Sequence, residues 1–397
     1  MTVDHPSRLA ATRHSQRVES LDLLRGMALL GMFIVHFHEH TTDAPGVDEF
    51  LRTFIWRLVE SKSHGTFALL FGAGFAIQLR RAEQRGARFS TIYLRRLAVL
   101  ALFGFAAHAF FGFNVLLGYA VWGVTLLFVR NWSSRVLVFV ACVSAASVGV
   151  FQLVDTTVIS LTAGEAAVER RFAAQEAMAD QVNAHLTAAE AQPSYRVLLG
   201  ARLRHMAWFY TQPFFFMPNV TLALFLVGLL LVRHRLLEDP ASHGRVLAGM
   251  AAFGAFSWFA ANWLLPFGFG LIRDQWLTFA YIAGALWLLG RIPALIQRFQ
   301  FVAAAGRMAL TNYLLQIAML DLLFSGYALH RPPMRPPVGL AAAFTCFAVE
   351  CAWSTVWLKH FQFGPAEWLW RSLTYGERQP MRRAVPVLVN EGPSPSR

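Results

Sequence analysis

Apolar blocks of about 20 residues recur from one end of this chain to the other, and they constrain its fold more than any other feature. A helix rises about 1.5 Å per residue, so about 20 apolar residues match a hydrocarbon core of roughly 30 Å. The blocks predict about ten membrane spans, near 22–40, 64–80, 94–112, 114–130, 136–160, 205–232, 245–266, 274–290, 300–323 and 338–358. The expected fold class is therefore all-α, a polytopic helical bundle with the lipid bilayer as its solvent. Composition agrees, with 56% hydrophobic and 15% charged residues, against roughly a quarter charged in soluble domains.

The formal net charge of +12 does not indicate nucleic acid, because the basic residues sit between apolar blocks, where membrane topology accounts for them. The densest cluster, "LRRAEQRGARFSTIYLRR", follows the second span. It predicts a membrane protein with both termini cytoplasmic. No cleavable signal peptide is expected, since the first 20 residues are polar and the first apolar block opens on an Asp–Arg pair. Cys142, Cys346 and Cys351 stand alone in apolar blocks, so neither a disulfide framework nor a metal site is implied.

The chain then divides into a cytoplasmic tail (1–21), an N-terminal five-helix region (22–160), an external segment (161–204), a C-terminal five-helix region (205–376) and a disordered cytoplasmic tail (377–397). Within the external segment, residues 162–193 are Ala-rich and mildly acidic. They predict an amphipathic helix with Val168, Phe172, Val182 and Leu186 on its apolar stripe. In "TQPFFFMPN" two prolines break or kink the sixth span.

The candidate functional residues lie inside spans, where ionisable groups are costly and usually face a polar interior. In "SLDLLRGMALLGMFIVHFHEH", Asp22 and Arg25 share a helix face at a spacing that allows an ion pair. His36 lies about 16 Å further along and is rotated by only about 20°. One stripe thus joins an acid–arginine pair at one end to a histidine at the other. His64 at the start of span two, His108 in the outer half of span three and Asn114 in the hairpin "FFGFNVLLGYA" are expected to converge with His36. Gly72, Ala73 and Gly74 allow close packing of span two. In "GRMALTNYLLQ", Arg307 is expected at an interface, and Thr311 and Asn312 at helix–helix hydrogen bonds. Glu367 and Arg371 are spaced for a structural pair on a short helix begun by Pro365.

The stretches "RVESLDLLRGMALLGMFIVHF", "FALLFGAGFAIQLRR", "YLRRLAVLALFGFAAH", "GRMALTNYLLQ" and above all "FQFGPAEWLWRSLTYG" resemble the YeiB-like inner-membrane protein family, in order and from residue 17 to 376. The Leu-Asp-x-x-Arg-Gly opening is also similar to the start of the membrane-bound N-acetyltransferases acting on heparan glucosamine. It is similar again to transmembrane acyltransferases of surface glycans, whose first span carries an Arg and a His at the spacing of Arg25 and His36. The YeiB-like pattern has Asn at the position of His36 and Asp at that of Asn114, so His36 moves this chain towards the acyltransferases.

The resemblance implies transfer of an acyl group from cytosolic acyl-CoA across the bilayer to a glycan or lipid-linked acceptor. Arg95 and Arg96, with Arg80 and Arg81, would grip the phosphates of the donor. Asp22 and Arg25 would orient one another, and His36 would be the general base, a role suited to a side chain that titrates near neutrality. His64, His108, Asn114 and Asn312 are the remaining substrate-binding candidates. A transporter or flippase of a small polar or amphipathic solute is the alternative, with the same stripe as its path and the broken sixth span as its gate. A scaffold without chemistry fits less well with so many polar residues in spans.

Overall fold

The computed structural model describes residues 19–383, apart from 44, 87–88, 113, 213–214, 216 and 265–269. Its helices, in chain order, are α1 (Glu19–His38), α2 (Val47–Ile55), α3 (Ser61–Gln84), α4 (Phe89–Phe111), α5 (Leu116–Gly123), α6 (Thr125–Val129), α7 (Ser134–Ala163), α8 (Glu165–Glu190), α9 (Tyr195–Thr211), α10 (Val220–Arg233), α11 (Gly244–Leu264), α12 (Gly270–Arg291), α13 (Ala294–Arg298), α14 (Gln300–Arg307), α15 (Ala309–Phe324), α16 (Pro336–His360) and α17 (Pro365–Tyr375). Among the described residues there is no β-strand, only isolated bridges at Thr41–Met334 and Phe361–Arg382. Five helices, α1, α4, α7, α11 and α16, are long and apolar enough to cross a membrane. The run Leu116–Val129, α10 and α15 are shorter apolar helices.

Several expected spans are interrupted. The stretch 205–232 is two helices: α9 ends where Gln212, ahead of a proline, turns extended, and α10 restarts with the Asn219 side chain accepting from the Thr221 N–H at 3.0 Å. A residue preceding proline is pushed out of the helical region, which ends α9 there. The stretch 300–323 divides at Met308 into α14 and α15, with no proline to cause it. A π-helical turn, Trp56–Glu60, and the short helix α2 fill a connection that carries no span. The bidentate pair between Asp48 and Arg335, both contacts 3.0 Å, clamps the inner face of α2. Helix α8 forms within the stretch 162–193. Val168, Val182 and Leu186 are half-covered, whereas Phe172 stays exposed. The first residues of the expected C-terminal tail run back on the bundle, the Gln362 N–H donating to the Met381 carbonyl at 2.9 Å. Residues 1–18 and 384–397 lie outside the described residues.

Two apolar cores organise the bundle. One joins α3, α4, α5 and α10 around Leu69, Phe75, Tyr93 and Phe225. The other joins α1, α14, α15 and α16 around Leu29, Phe33, Tyr313 and Phe347. Glycines bring backbones together at the crossings. Gly72 of α3 faces the backbone of Phe225, and Gly228 faces that of Leu69. Gly26 of α1 faces the Val302 backbone, and Gly306 of α14 faces the Asp22 carbonyl. A side chain at 306 must therefore lever α14 away from α1. Gly306→Leu is expected to destabilise the protein by about 1–3 kcal/mol, read as a lower melting temperature in detergent. Gly244→Ala, where a Cβ meets open space, is the control. Equal melting of Gly306→Leu and the parent would show that this crossing does not carry stability.

Candidate functional site

Between the two cores lies a cavity of about 280 Å³. Its mouth is basic: Arg25 from α1, Arg81 from α3, Arg96 from α4, Arg307 from α14 and Arg371 from α17 all line it, together with Asp22 and Glu367. Each arginine comes from a different helix. Asp22 and Arg25 form the ion pair that their spacing allows, 3.3 Å from Nη1 to Oδ1. An acid in the first turn also complements the partial positive charge of the helix N-terminus. Gly74 leaves room on α3 for the Arg25 guanidinium, 3.6 Å from where a Cβ would sit.

Helix α17 closes one wall. The Trp370 ring lies under the Arg96 guanidinium, 3.7 Å from centroid to Cζ, and its indole N–H donates to the Arg96 carbonyl at 3.0 Å. Desolvated stacking of this kind fixes a planar cation without neutralising it. Arg371 lies over Phe363 at 4.5 Å.

Glu367 does something its spacing from Arg371 does not suggest. Its carboxylate accepts from the backbone N–H groups of Leu310 (2.6 Å) and Thr311 (3.1 Å) and from the Thr311 hydroxyl (2.5 Å). Those N–H groups open α15, so Glu367 caps that helix from another part of the chain. This is the reason the expected span 300–323 breaks at Met308. Burial pushes the Glu367 pKa up, and the Thr311 and Leu310 donors pull it back down in part.

Beyond the arginines the cavity turns apolar, with Met32, Phe67, Leu70, Phe71, Leu100 and Leu116 in its wall. Among the lining tyrosines, Tyr119 and Tyr313 are the ones in contact with the histidines. The Tyr119 hydroxyl donates to the His64 carbonyl at 2.8 Å. The Tyr313 ring lies 6.1 Å from the His36 ring. His36 and His64 are within electrostatic reach of each other, so the structure brings these two predicted residues together, behind the tyrosines. The buried Nδ1 of His36 has no hydrogen-bond partner, whereas Nδ1 of His64 faces the Glu60 carbonyl at 3.3 Å.

The other predicted residues go elsewhere. His108 is buried on the far side of α4, with its ring 5.8 Å from His205 and 6.0 Å from Tyr210. Asn114 ties its hairpin, donating to the Gly104 carbonyl at 3.0 Å and accepting from the Leu116 N–H at 3.1 Å. Asn312 donates to the Ala305 carbonyl at 3.1 Å and to Ser354 Oγ at 2.9 Å, a helix-packing role. Arg95 is exposed and reaches towards Gly376, while its neighbour Arg96 lines the cavity. Arg307 and Arg371, expected only at an interface and in a helix pair, also line the cavity, as do Tyr119 and Tyr313, which the sequence does not single out. The signal for the arginines is their shared position at the basic end of successive apolar blocks; nothing local marks the tyrosines.

Chemically, the arrangement suits an amphipathic ligand, with an anionic head among the guanidiniums and an apolar or acyl portion in the body. Among the described residues no group of His, Cys, Asp and Glu is placed to hold a metal ion.

Comparison with known proteins divides the chain in two. Residues 231–377 match the model of a family of proteins of unknown function, DUF418. Residues 17–167 match the catalytic domain of heparan-alpha-glucosaminide N-acetyltransferase. The chain is 29% identical to the uncharacterised protein YxaH of Bacillus subtilis, over 96% of this chain and all of that one. It is 28% identical to the uncharacterised protein YeiB of Escherichia coli, over 90% of this chain and 96% of that one. No solved structure matches.

Proposed function

Taking this chain as YeiB-like along nearly its whole length, with an N-terminal part similar to an N-acetyltransferase catalytic domain, we propose that it is a transbilayer acyltransferase. It would cross a bacterial plasma membrane about ten times with both termini cytoplasmic. It would pass an acyl group from cytosolic acyl-CoA to an extracytoplasmic glycan or lipid-linked acceptor. The observation that carries this reading is the cavity itself. Five arginines and a set of apolar side chains line it together, and His36 stands behind the lining ring of Tyr313.

In this reading the arginine mouth faces the cytosol and takes the phosphates of the donor, which guanidiniums bind well. Arg96 and Arg371 are pre-set by their aromatic supports, so little side-chain freedom is lost on binding. The thioester extends towards the tyrosines. An acceptor hydroxyl or amine gives its proton to His36 and attacks the thioester carbonyl; the C–S bond breaks and the CoA thiolate leaves. His64, beside His36, is positioned to stabilise the oxyanion that forms.

Acyl-CoA binding is the direct test. Purified protein in detergent is expected to melt later with acetyl-CoA. At a hundredfold excess over Kd, mass action alone contributes about 2.7 kcal/mol. Dephospho-CoA should stabilise less, since it offers fewer charges to the arginines. No stabilisation by any acyl-CoA at millimolar concentration would sink the acyltransferase reading and favour transport.

A further inference from the structure

The cavity and the histidines are separated by two rings, each tied to backbone through its hydroxyl. Tyr119 is fixed: its hydroxyl is bonded to the His64 carbonyl at 2.8 Å, and its ring packs against Phe71 at 5.9 Å and Phe225 at 5.5 Å. The Tyr313 hydroxyl is hydrogen-bonded to the backbone of Val115, and its ring lies 6.1 Å from that of His36. It also sits one turn into α15, the helix whose start is held by Glu367 from across the cavity. Measured along α1, the arginine level at Arg25 and the histidine level at His36 differ by about 16 Å. Tyr313 occupies the gap between the cavity end and His36.

We propose that Tyr119 and Tyr313 form a septum between the arginine cavity and the histidine end, and that Tyr313, the ring beside His36, decides how far a ligand reaches. This rests on the acyltransferase reading for the identity of the ligand, though not for the existence of the barrier. With the Tyr313 ring in place, the space beyond the arginines accepts a short acyl group. Its removal widens the approach to His36 and lengthens the acyl chain the site accepts.

The test uses a cysteine-free background (Cys142→Ala, Cys346→Ala, Cys351→Ala) carrying His36→Cys as reporter, in inverted membrane vesicles. A small, membrane-impermeant, anionic thiol reagent is added outside. Labelling of the reporter is expected to be slow, to remain slow with Tyr313→Phe, and to become about tenfold faster with Tyr313→Ala, because thiol reactivity follows access. Tyr313→Leu, which retains bulk in the apolar wall, serves if the alanine variant does not accumulate. In parallel, melting shifts with acetyl-CoA and octanoyl-CoA are compared on His36 protein; Tyr313→Ala is expected to move the preference towards octanoyl. Equal labelling rates with and without the ring overturn the septum whatever the ligand. Faster labelling without stabilisation by any acyl-CoA keeps the septum and overturns the acyltransferase reading.

Discussion

His36→Ala is expected to lower acyl transfer by about 10²–10⁴-fold, the usual contribution of a positioned general base, while leaving donor affinity unchanged. The split follows from where His36 stands. It lies behind Tyr313 and not among the arginines that line the mouth, so removing the imidazole touches no group that would hold the phosphates. The readout is release of CoA thiol from acetyl-CoA with a panel of amino-sugar and hydroxyl acceptors, alongside the acetyl-CoA melting shift. Arg96→Ala should do the reverse, weakening the melting shift first. If His36→Ala turned over at the parent rate, His36 would leave the mechanism and His64 would become the next base to examine. Loss of activity together with loss of the melting shift would point instead to a collapsed cavity.

Asp22 and Arg25 are legible in the sequence because α1 is one uninterrupted helix. Along such a helix, spacing fixes both height and azimuth, so the ion pair and the level of His36 follow from counting. The same counting fails between helices. His108 and Asn114 are placed by counting along their own segments, and counting says nothing of which neighbour a helix turns towards. His108 faces His205 of α9, and Asn114 is bonded within its own hairpin. The break at Met308 is invisible locally, because its cause is a carboxylate on α17 that accepts from Leu310 and Thr311. Glu367 and Arg371 have the spacing of a helix pair, and a tertiary contact overrides that local preference. The sixth span carries its own punctuation, prolines before and within the break, and is read correctly for that reason.

Asp321→Ala is expected to destabilise the fold by about 3–5 kcal/mol, the cost of leaving a buried charge without its partner. Arg202 of α9 and Asp321 of α15 form an ion pair whose side chains are 3% and 2% exposed. Asp321 also accepts from the Ser325 hydroxyl at 2.5 Å and the Tyr327 hydroxyl at 2.7 Å, and Arg202 donates to the Phe110 carbonyl at 2.5 Å. The pair therefore ties α9 and α15 to the end of α4, with only the buried Arg202 Nε of its guanidinium left without a hydrogen-bond partner. Removing the carboxylate strands the guanidinium among apolar helices and leaves two hydroxyls without their acceptor. Removing both charges at once should do far less harm, since a buried pair replaced by apolar side chains of similar volume is often close to neutral. The double variant Arg202→Leu with Asp321→Leu is accordingly expected to recover most of the melting temperature lost in Asp321→Ala. Acetyl-CoA stabilisation should persist in the double variant, because neither residue lines the cavity. A double variant that melts as low as the single one would show that the pair does more than cancel its own charge. A loss of acetyl-CoA stabilisation in a well-folded double variant would give this network a part in the site after all.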